Sequence, residues 1–184
     1  MKRLFRYFRQ MYRLALSRKK QEEIVWNDLK RLHTRKKWRA GLYENDKYIE
    51  TPFEIAEDLQ ADYFFMVYDS CFHCRVKILE GLHPDMTTEM FVLASHFNNH
   101  LRDGVVIVNV SRDFVEFHMK SDLMIPLLDP DEILIQILRH YEISKDICLA
   151  FHRLITEQEA PAIIFADVLK KNREEDEEGE EPAD

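Results

Sequence analysis

The sequence predicts an α+β domain in which helices cover one face of an antiparallel sheet, preceded by a basic amphipathic helix at the N-terminus. Four short segments alternate apolar and polar residues and pair off around turn residues, as the strands of antiparallel hairpins do. Other segments repeat apolar residues at helical spacing between helix start and stop signals. In the first 16 residues, cationic and apolar side chains separate onto opposite sides of a helical wheel.

The composition is that of a globular chain. Its 184 residues are 46% hydrophobic, which is enough to bury a core. No run approaches the roughly 20 apolar residues of a membrane-spanning helix. The cysteines are Cys71, Cys74 and Cys148, and this odd number predicts free thiols in a reducing cytoplasm rather than a disulfide framework.

Residues 1–16 form an amphipathic pattern with two distinct sides. The cationic side contains Lys2, Arg3, Arg6, Arg9 and Arg13. The wider apolar arc contains Leu4, Phe5, Phe8, Met11, Tyr12, Ala15 and Leu16. Apolar residues recur at helical spacing over residues 25–32, so the sequence leaves open whether the helix continues to about residue 36 or breaks near Ser17.

Residues 51–59 fit two structures. Thr51, Pro52 and Glu54 form an N-cap, a proline at the first helical position and a capping-box glutamate, which predict a short helix. The same residues also alternate, with Phe53 and Ile55 as apolar positions, which favours a strand. Both alternatives stay open at this point.

A hairpin and a helix follow this segment. An aromatic and β-branched run over residues 63–68, turn residues Asp69 and Ser70, and an alternating segment over residues 71–79 predict two paired strands. Apolar residues from Met90 to Leu101 then recur at helical spacing, which predicts a helix.

A second hairpin follows Gly104, which is the stop signal of that helix. Residues 105–110 and 114–120 are its strands, and residues 111–113 form its turn. The central part of the chain therefore has the predicted order strand, strand, helix, strand, strand.

The clearest helix start in the chain is formed by Asp129, Pro130 and Glu132. From there the apolar spacing predicts either one long bent helix or a pair that restarts at Ser144. Pro161 ends this region, and residues 162–170 are predicted as a last short helix.

The C-terminus is strongly acidic. Residues 173–184 contain eight acids and one base, with no apolar side chain larger than alanine, so this segment is predicted to be disordered. The predicted organisation is a basic helical arm over residues 1–40, an α+β domain over residues 41–171 and an acidic tail over residues 172–184.

The charge is distributed unevenly along the chain. Residues 1–40 hold 14 Lys and Arg and 3 acids, a net charge of +11; since the whole chain carries −8, the other 144 residues carry −19. We hypothesise that the tail and the arm attract each other, within one chain or across a dimer. Equal salt-dependent exposure of the arm in full-length and tail-deleted protein would end this hypothesis.

Two residue pairs resemble metal or redox sites at first sight. Cys71 and Cys74 have C-x-x-C spacing, but a zinc knuckle needs a second ligand pair, and a redox pair normally opens a helix. His96 and His100 are four residues apart on a predicted helix, and no carboxylate or third imidazole is specified beside them. We therefore expect core or solvent-exposed roles for these residues.

Motifs of the common enzyme classes are missing from the sequence. There is no Gly-x-Ser-x-Gly elbow, no phosphate-binding glycine loop, no dinucleotide fingerprint and no distinctive acid/base pair. We expect no catalytic residues, no cofactor and no metal ion, and hence a protein that is not an enzyme.

The region from Phe91 to Leu134 resembles a known family. It contains Leu-Ala-Ser-His-Phe-Asn-Asn-His-Leu over residues 93–101, then Gly104-Val-Val-Ile-Val, an Ile-Pro-Leu-Leu connection and an Asp-Pro-Asp-Glu-Ile helix start. These features resemble the YbjN-type family of bacterial sensory-transduction regulators, more loosely over about residues 52–170. The arm and the tail are not part of that family pattern.

The resemblance implies a fold similar to type III secretion chaperones. Its element order is α-β-β-β-α-β-β-α, so residues 38–60 must supply the third strand before the middle helix. The family has no agreed catalytic residues, so none is transferred to this chain.

The sequence therefore predicts a non-enzymatic protein-interaction module in a chaperone-like or regulatory role, which binds a partner polypeptide by strand addition or by helix-in-groove contacts. The predicted binding residues are Phe5, Arg6, Phe8, Arg9, Tyr12, Arg13 and Leu16. The alternative is a peripheral membrane adaptor that uses the same helix.

The apolar arc of the N-terminal helix is too wide for a helix that lies free in water. Its candidate docking sites are its own domain, the second copy in a homodimer, an anionic membrane surface and another protein, and the first two are favoured because most amphipathic helices face a core. Nucleic acid is the weakest candidate, because a body of charge −19 repels phosphate.

Overall fold

The computed structural model describes residues 2–123 and 130–179. They form an α+β structure with an antiparallel sheet, as the sequence predicted, and this sheet has six strands. The helices described are α1 (Lys2–Leu14), α2 (Arg18–Lys36), α3 (Thr87–His100), α4 (Pro130–Glu157) and α5 (Pro161–Gly179). The strands described are β1 (Gly41–Tyr43), β2 (Tyr48–Ala56), β3 (Leu59–Tyr68), β4 (Cys71–Glu80), β5 (Val105–Asn109) and β6 (Phe114–Asp122).

The strands lie in the order β1-β2-β3-β4-β6-β5. Strands β3 and β4 are joined by the predicted two-residue turn, in which Asp69 and Ser70 have φ values of 50° and 56°. Two positive φ values in sequence are typical of the turns whose twist matches a tight hairpin. The backbone N–H of Ser70 also donates to Oε1 of Glu22 at 2.8 Å, so α2 holds the tip of this hairpin.

Residues 51–59 are part of a hairpin and not a helix, which decides between the two structures that this segment fits. Pro52 lies within β2 opposite Asp62 of β3. Strand β1 pairs only with residues 48–50, so β2 has a partner on one side only at Pro52, where a missing N–H is tolerated.

The chain forms two compact units. The first contains residues 1–76 and 118–143, and the second contains residues 77–117 and 144–184. In the first unit, alternate residues of β3 are buried, including Tyr63 and Phe65. The Phe65 ring contacts His33 of α2, and the Tyr63 ring contacts His140 of α4. Both helices therefore cover the same face of the sheet in this unit.

In the second unit, α3 packs against β5 and α5. The Asn98 side chain of α3 binds both backbone polar groups of Val106 in β5. Its Oδ1 accepts from the Val106 N–H at 2.7 Å, and its Nδ2 donates to the Val106 carbonyl at 3.0 Å. The amide therefore satisfies one residue of the strand as a neighbouring strand would.

Replacing Asn98 by aspartate is expected to lower the free energy of unfolding by about 1 kcal/mol, because the donor to the Val106 carbonyl is lost and a carboxylate faces that carbonyl. Urea unfolding of both proteins measures the difference. Asn99→Asp is the matched control, since Asn99 is exposed and the charge change is the same. Equal losses in the two variants would contradict the role of the Asn98 amide.

The N-terminal region is divided into two helices. Helix α1 ends at Leu14 and α2 begins at Arg18, so of the two alternatives in the sequence the structure has the break near Ser17. Ser17 is the N-cap residue of α2 but makes no side-chain capping bond.

Of the two alternatives for α4 the structure has one long helix, and α5 is longer than predicted. Helix α4 is continuous through Ser144, which is fully buried, so no restart occurs there. Helix α5 runs to Gly179, so residues 172–179 of the segment predicted as disordered are helical. An ion pair at one-turn spacing, between Lys170 and Glu174 at 3.7 Å, supports the helix beyond its apolar residues. Asp129, the predicted cap of α4, and residues 180–184 lie outside the described residues.

The element order differs from the one that the family resemblance implies. Four strands precede α3 instead of three, because residues 38–60 supply β1 as well as β2. Two helices also precede the sheet, where the implied order has one.

Candidate docking surface on the N-terminal helix

The apolar side chains of α1 lie in solvent. Phe5 is 76% exposed, Phe8 is 62% exposed and Tyr12 is 68% exposed. Four further apolar residues of α1 are exposed with them: Leu4, Tyr7, Met11 and Leu14. We call these seven residues the apolar face of α1.

The arginine side of α1 contacts the rest of the first unit. Nη2 of Arg13 lies 2.7 Å from Oδ2 of Asp28 in α2, and both side chains are buried. Arg9 approaches the same oxygen at 3.8 Å, and Arg6 lies 3.7 Å from Glu132 of α4. Ion pairs, rather than apolar packing, thus hold this helix in place.

Gln21 fixes the C-terminal end of α1. Its side-chain Nε2 lies 3.2–3.3 Å from the carbonyl oxygens of Arg13, Leu14 and Leu16. The Arg13 carbonyl also accepts from the backbone N–H of Leu16, and the buried Gln21 amide supplies a further donor to these carbonyls where the helix ends. The direction of α1 relative to α2 is therefore determined by Gln21 together with Asp28.

The predicted binding residues have different environments in the structure. Phe5, Phe8 and Tyr12 are exposed together, as a docking surface requires, and Leu16 is half-buried. Arg6 and Arg9 are about half-exposed and paired with acids, and Arg13 is buried.

The sequence favoured packing of the apolar arc onto its own domain or onto a second copy of the chain. In the described residues, α1 does not pack this arc onto its own domain. The reason is electrostatic. Asp28 is a buried carboxylate and needs a cation beside it, which the arginine side of α1 supplies.

The sequence did not single out Arg31 and Arg35, which are basic residues of α2 close to α1. Arg31 lies 4.0 Å from Asp28, and its side chain is 83% exposed. Arg31 and Arg35 line a concavity of about 190 Å³ together with Asp28 and Leu32. The available signal was Asp28 itself, the one acid among many cations between residues 24 and 40.

The cysteines are buried free thiols. Cys74 pairs with Phe65 and Cys71 pairs with Tyr68 in the β3–β4 register, so the two lie on opposite faces of the sheet. Burial raises the pKa of all three thiols, and that of Cys148 reaches about 12. They stay protonated at neutral pH and are weak nucleophiles there.

His96 and His100 lie beside an aromatic ring in the second unit. The His96 ring stacks on Phe165 with centroids 5.4 Å apart, and His100 meets the same ring edge-on at 4.8 Å. In the described parts of the chain, no three His, Cys, Asp or Glu side chains lie close enough to hold a metal ion together.

A histidine pair lies on the sheet face opposite α2. Nδ1 of His73 is 3.1 Å from Nε2 of His118, and the Tyr68 ring stacks on His73 at 3.9 Å. Burial, followed by the nearby charge of His118, lowers the pKa of His73 to about 4.

This lowered pKa predicts a loss of stability in mild acid. The unfolded chain, in which His73 has a pKa near 6.5, binds the proton better than the folded protein. The contribution of His73 is therefore complete above pH 6.5 and is lost as the pH falls toward 4. His73→Phe, which keeps an aromatic ring beside Tyr68, is expected to reduce the fall in unfolding free energy over this range.

Urea unfolding at several pH values between 7.5 and 4 measures this effect. His152→Phe is the control, because His152 is exposed on α4. An unchanged pH dependence in His73→Phe would contradict the assignment. Burial also lowers the pKa of His33, which both variants retain. Some loss of unfolding free energy in mild acid is therefore expected in both variants as well as in the wild type.

None of the α-helices in the described residues is long and apolar enough to cross a bilayer.

Comparisons with known proteins do not identify the chain. No family model matches it, and no curated protein or solved structure does so either. The resemblance to the YbjN-type family therefore stays a prediction.

Proposed function

We propose that this protein is a non-enzymatic interaction module that binds a partner polypeptide through the apolar face of α1. The observation that carries the proposal is the orientation of this helix. Its arginines pair with Asp28 and Glu132, whereas Phe5, Phe8 and Tyr12 are each more than 60% exposed.

The spacing of the exposed aromatic residues fits a groove on a partner. Phe5, Phe8 and Tyr12 are three and four residues apart, so they lie along one side of the helix. Amphipathic helices that bind apolar grooves present anchors at this spacing. Exposed apolar groups that lie together are typical of interaction surfaces, because their burial by a partner removes them from water.

A peripheral membrane adaptor is the alternative, and the charges favour the protein partner. Interfacial helices combine an apolar face with cations that meet anionic lipid. In α1, Arg9 and Arg13 contact Asp28, and Arg6 contacts Glu132. The other 144 residues carry −19, which repels an extended anionic surface far more than a short segment with a few acids. The regulatory or chaperone-like role and the kinship with the YbjN-type family remain part of this proposal.

Photo-cross-linking tests the proposal. Benzoylphenylalanine replaces Phe8 in the full chain, and the cross-linked products are identified by mass spectrometry. We expect a polypeptide adduct that Phe5→Ser and Tyr12→Ser together abolish. The same photoreactive residue at Phe91, which is exposed on α3, is the control.

The possible products separate the candidate partners. An adduct of twice the mass of the chain shows that α1 binds a second copy of the chain. An adduct with one other polypeptide shows that α1 binds a different protein. The protein-partner proposal is wrong if position 8 gives no adduct while anionic vesicles co-sediment the chain through Phe5 and Tyr12. It is also wrong if positions 8 and 91 give the same products.

A further inference from the structure

Three arginines surround one carboxylate beside the apolar face of α1. Asp28 lies 2.7 Å from Arg13, 3.8 Å from Arg9 and 4.0 Å from Arg31. One carboxylate balances only one guanidinium, so this cluster has a local charge of about +2. The Arg9 side chain is 44% exposed and that of Arg31 is 83% exposed, so this positive charge faces solvent.

Arg35 extends the cluster along α2. It lies one helical turn from Arg31, and both line the concavity of about 190 Å³ with Leu32 as an apolar wall. Like charges one turn apart repel each other, and an anion between them relieves the repulsion. A guanidinium presents paired donors that match the two oxygens of a carboxylate.

Arg9 joins this basic cluster to the apolar face. It lies four residues after Phe5 and three before Tyr12, so it is adjacent to both on α1. At the same time it contacts Asp28, around which the cluster is built. A ligand on the apolar face therefore lies within reach of the exposed arginines.

We propose that the segment which docks on α1 is an acidic amphipathic helix, whose apolar side covers Phe5, Phe8 and Tyr12 and whose carboxylates bind Arg9, Arg31 and Arg35. This inference rests on the proposed function and specifies the chemistry of the partner. Charge complementarity supports it, because the partner neutralises charge that Asp28 leaves unbalanced. A concave cluster of arginines suits individual side-chain carboxylates better than a flat lipid surface.

Fluorescence anisotropy with two labelled peptides tests the inference. Both have 16 residues with leucine at helical anchor spacing; one has glutamate at the flanking positions, and the other has glutamine there. We expect the full chain to bind the glutamate peptide at least about tenfold more tightly than the glutamine peptide at low salt, and the difference to shrink as salt is added.

Arg31→Gln with Arg35→Gln is expected to remove most of this preference. Lys19→Gln with Lys20→Gln is the matched control, because it makes the same charge change at exposed positions of α2. Arg31 and Arg35 are exposed, and circular dichroism checks that both double variants are folded.

Each outcome separates this inference from the proposed function. Equal binding of the two peptides, or no binding of either, overturns the acidic chemistry, while cross-linking at position 8 decides independently whether α1 binds a polypeptide. The inference is also wrong if Arg31 and Arg35 affect only the co-sedimentation of phosphatidylglycerol vesicles, which would assign the cluster to lipid.

Discussion

Replacing Asp28 by alanine is expected to detach α1 from the rest of the first unit. The change leaves the buried Arg13 guanidinium without its carboxylate, and breaking a buried ion pair in this way costs about 3–5 kcal/mol. The chain avoids that cost by releasing the helix into water. A helix of this length is marginal alone, so its backbone amides then exchange rapidly with solvent.

Hydrogen exchange followed by mass spectrometry measures the release. We expect exchange in residues 4–14 to be at least about tenfold faster in Asp28→Ala, with β3 and β4 little changed. Asn27→Ala is the control, because this neighbouring side chain is exposed. If α1 exchanged as slowly in Asp28→Ala as in the wild type, the ion pair would not be what holds the helix.

Phe65→Ala is expected to reduce the free energy of unfolding by about 3–5 kcal/mol. Phe65 is fully buried in β3 and contacts the rings of His33, Phe53 and Phe72. Removing its ring opens a cavity where α2 covers the sheet. The denaturation midpoint in urea measures the change.

Phe64→Ala is the matched control for this experiment. Phe64 is the preceding residue, is half-buried and lies on the opposite face of the same strand. We expect Phe64→Ala to reduce the free energy of unfolding by roughly 1 kcal/mol, because the half-buried Phe64 ring buries less apolar area on folding than the Phe65 ring does. A larger loss for Phe64 than for Phe65 would contradict the assignment of the covered face.

The hairpins could be predicted from the sequence because their signals are local. The alternation in residues 71–79 and the turn at Asp69 and Ser70 determine strand and turn over a few residues. The limits of α5 were harder to predict. The apolar pattern ends near Lys170, whereas charged residues that favour helix continue α5 beyond it, with an ion pair between Lys170 and Glu174 at one-turn spacing.

Residues 51–59 could not be assigned because their own sequence fits a helix start, whereas pairing with the neighbouring strands decides the structure. Thr51, Pro52 and Glu54 form a good helix start, but pairing with residues 59–66 of β3 outweighs that local preference. Strand β2 tolerates Pro52 because β1 is too short to pair with it there. No residue near Pro52 indicates how short β1 is.

At the docking surface, the sequence predicted the two sides of α1 but not the direction in which they face. The usual rule places the apolar side against the core. Here the buried Asp28 of another helix reverses this orientation by pairing with Arg13. Burial of a single acid depends on tertiary packing, so local periodicity does not reveal it.

Covalent footprinting of two adjacent residues tests the orientation of α1 most directly. Tyr12 is 68% exposed and Arg13 is 7% exposed. In the dilute native protein, hydroxyl radicals are expected to modify Tyr12 as fast as in the urea-unfolded chain, whereas phenylglyoxal modifies Arg13 at least about tenfold more slowly than in that chain. A protected Tyr12 with a reactive Arg13 would show that the apolar side faces inward, and equal reactivity of both residues would show that α1 is not docked; either result would contradict this account.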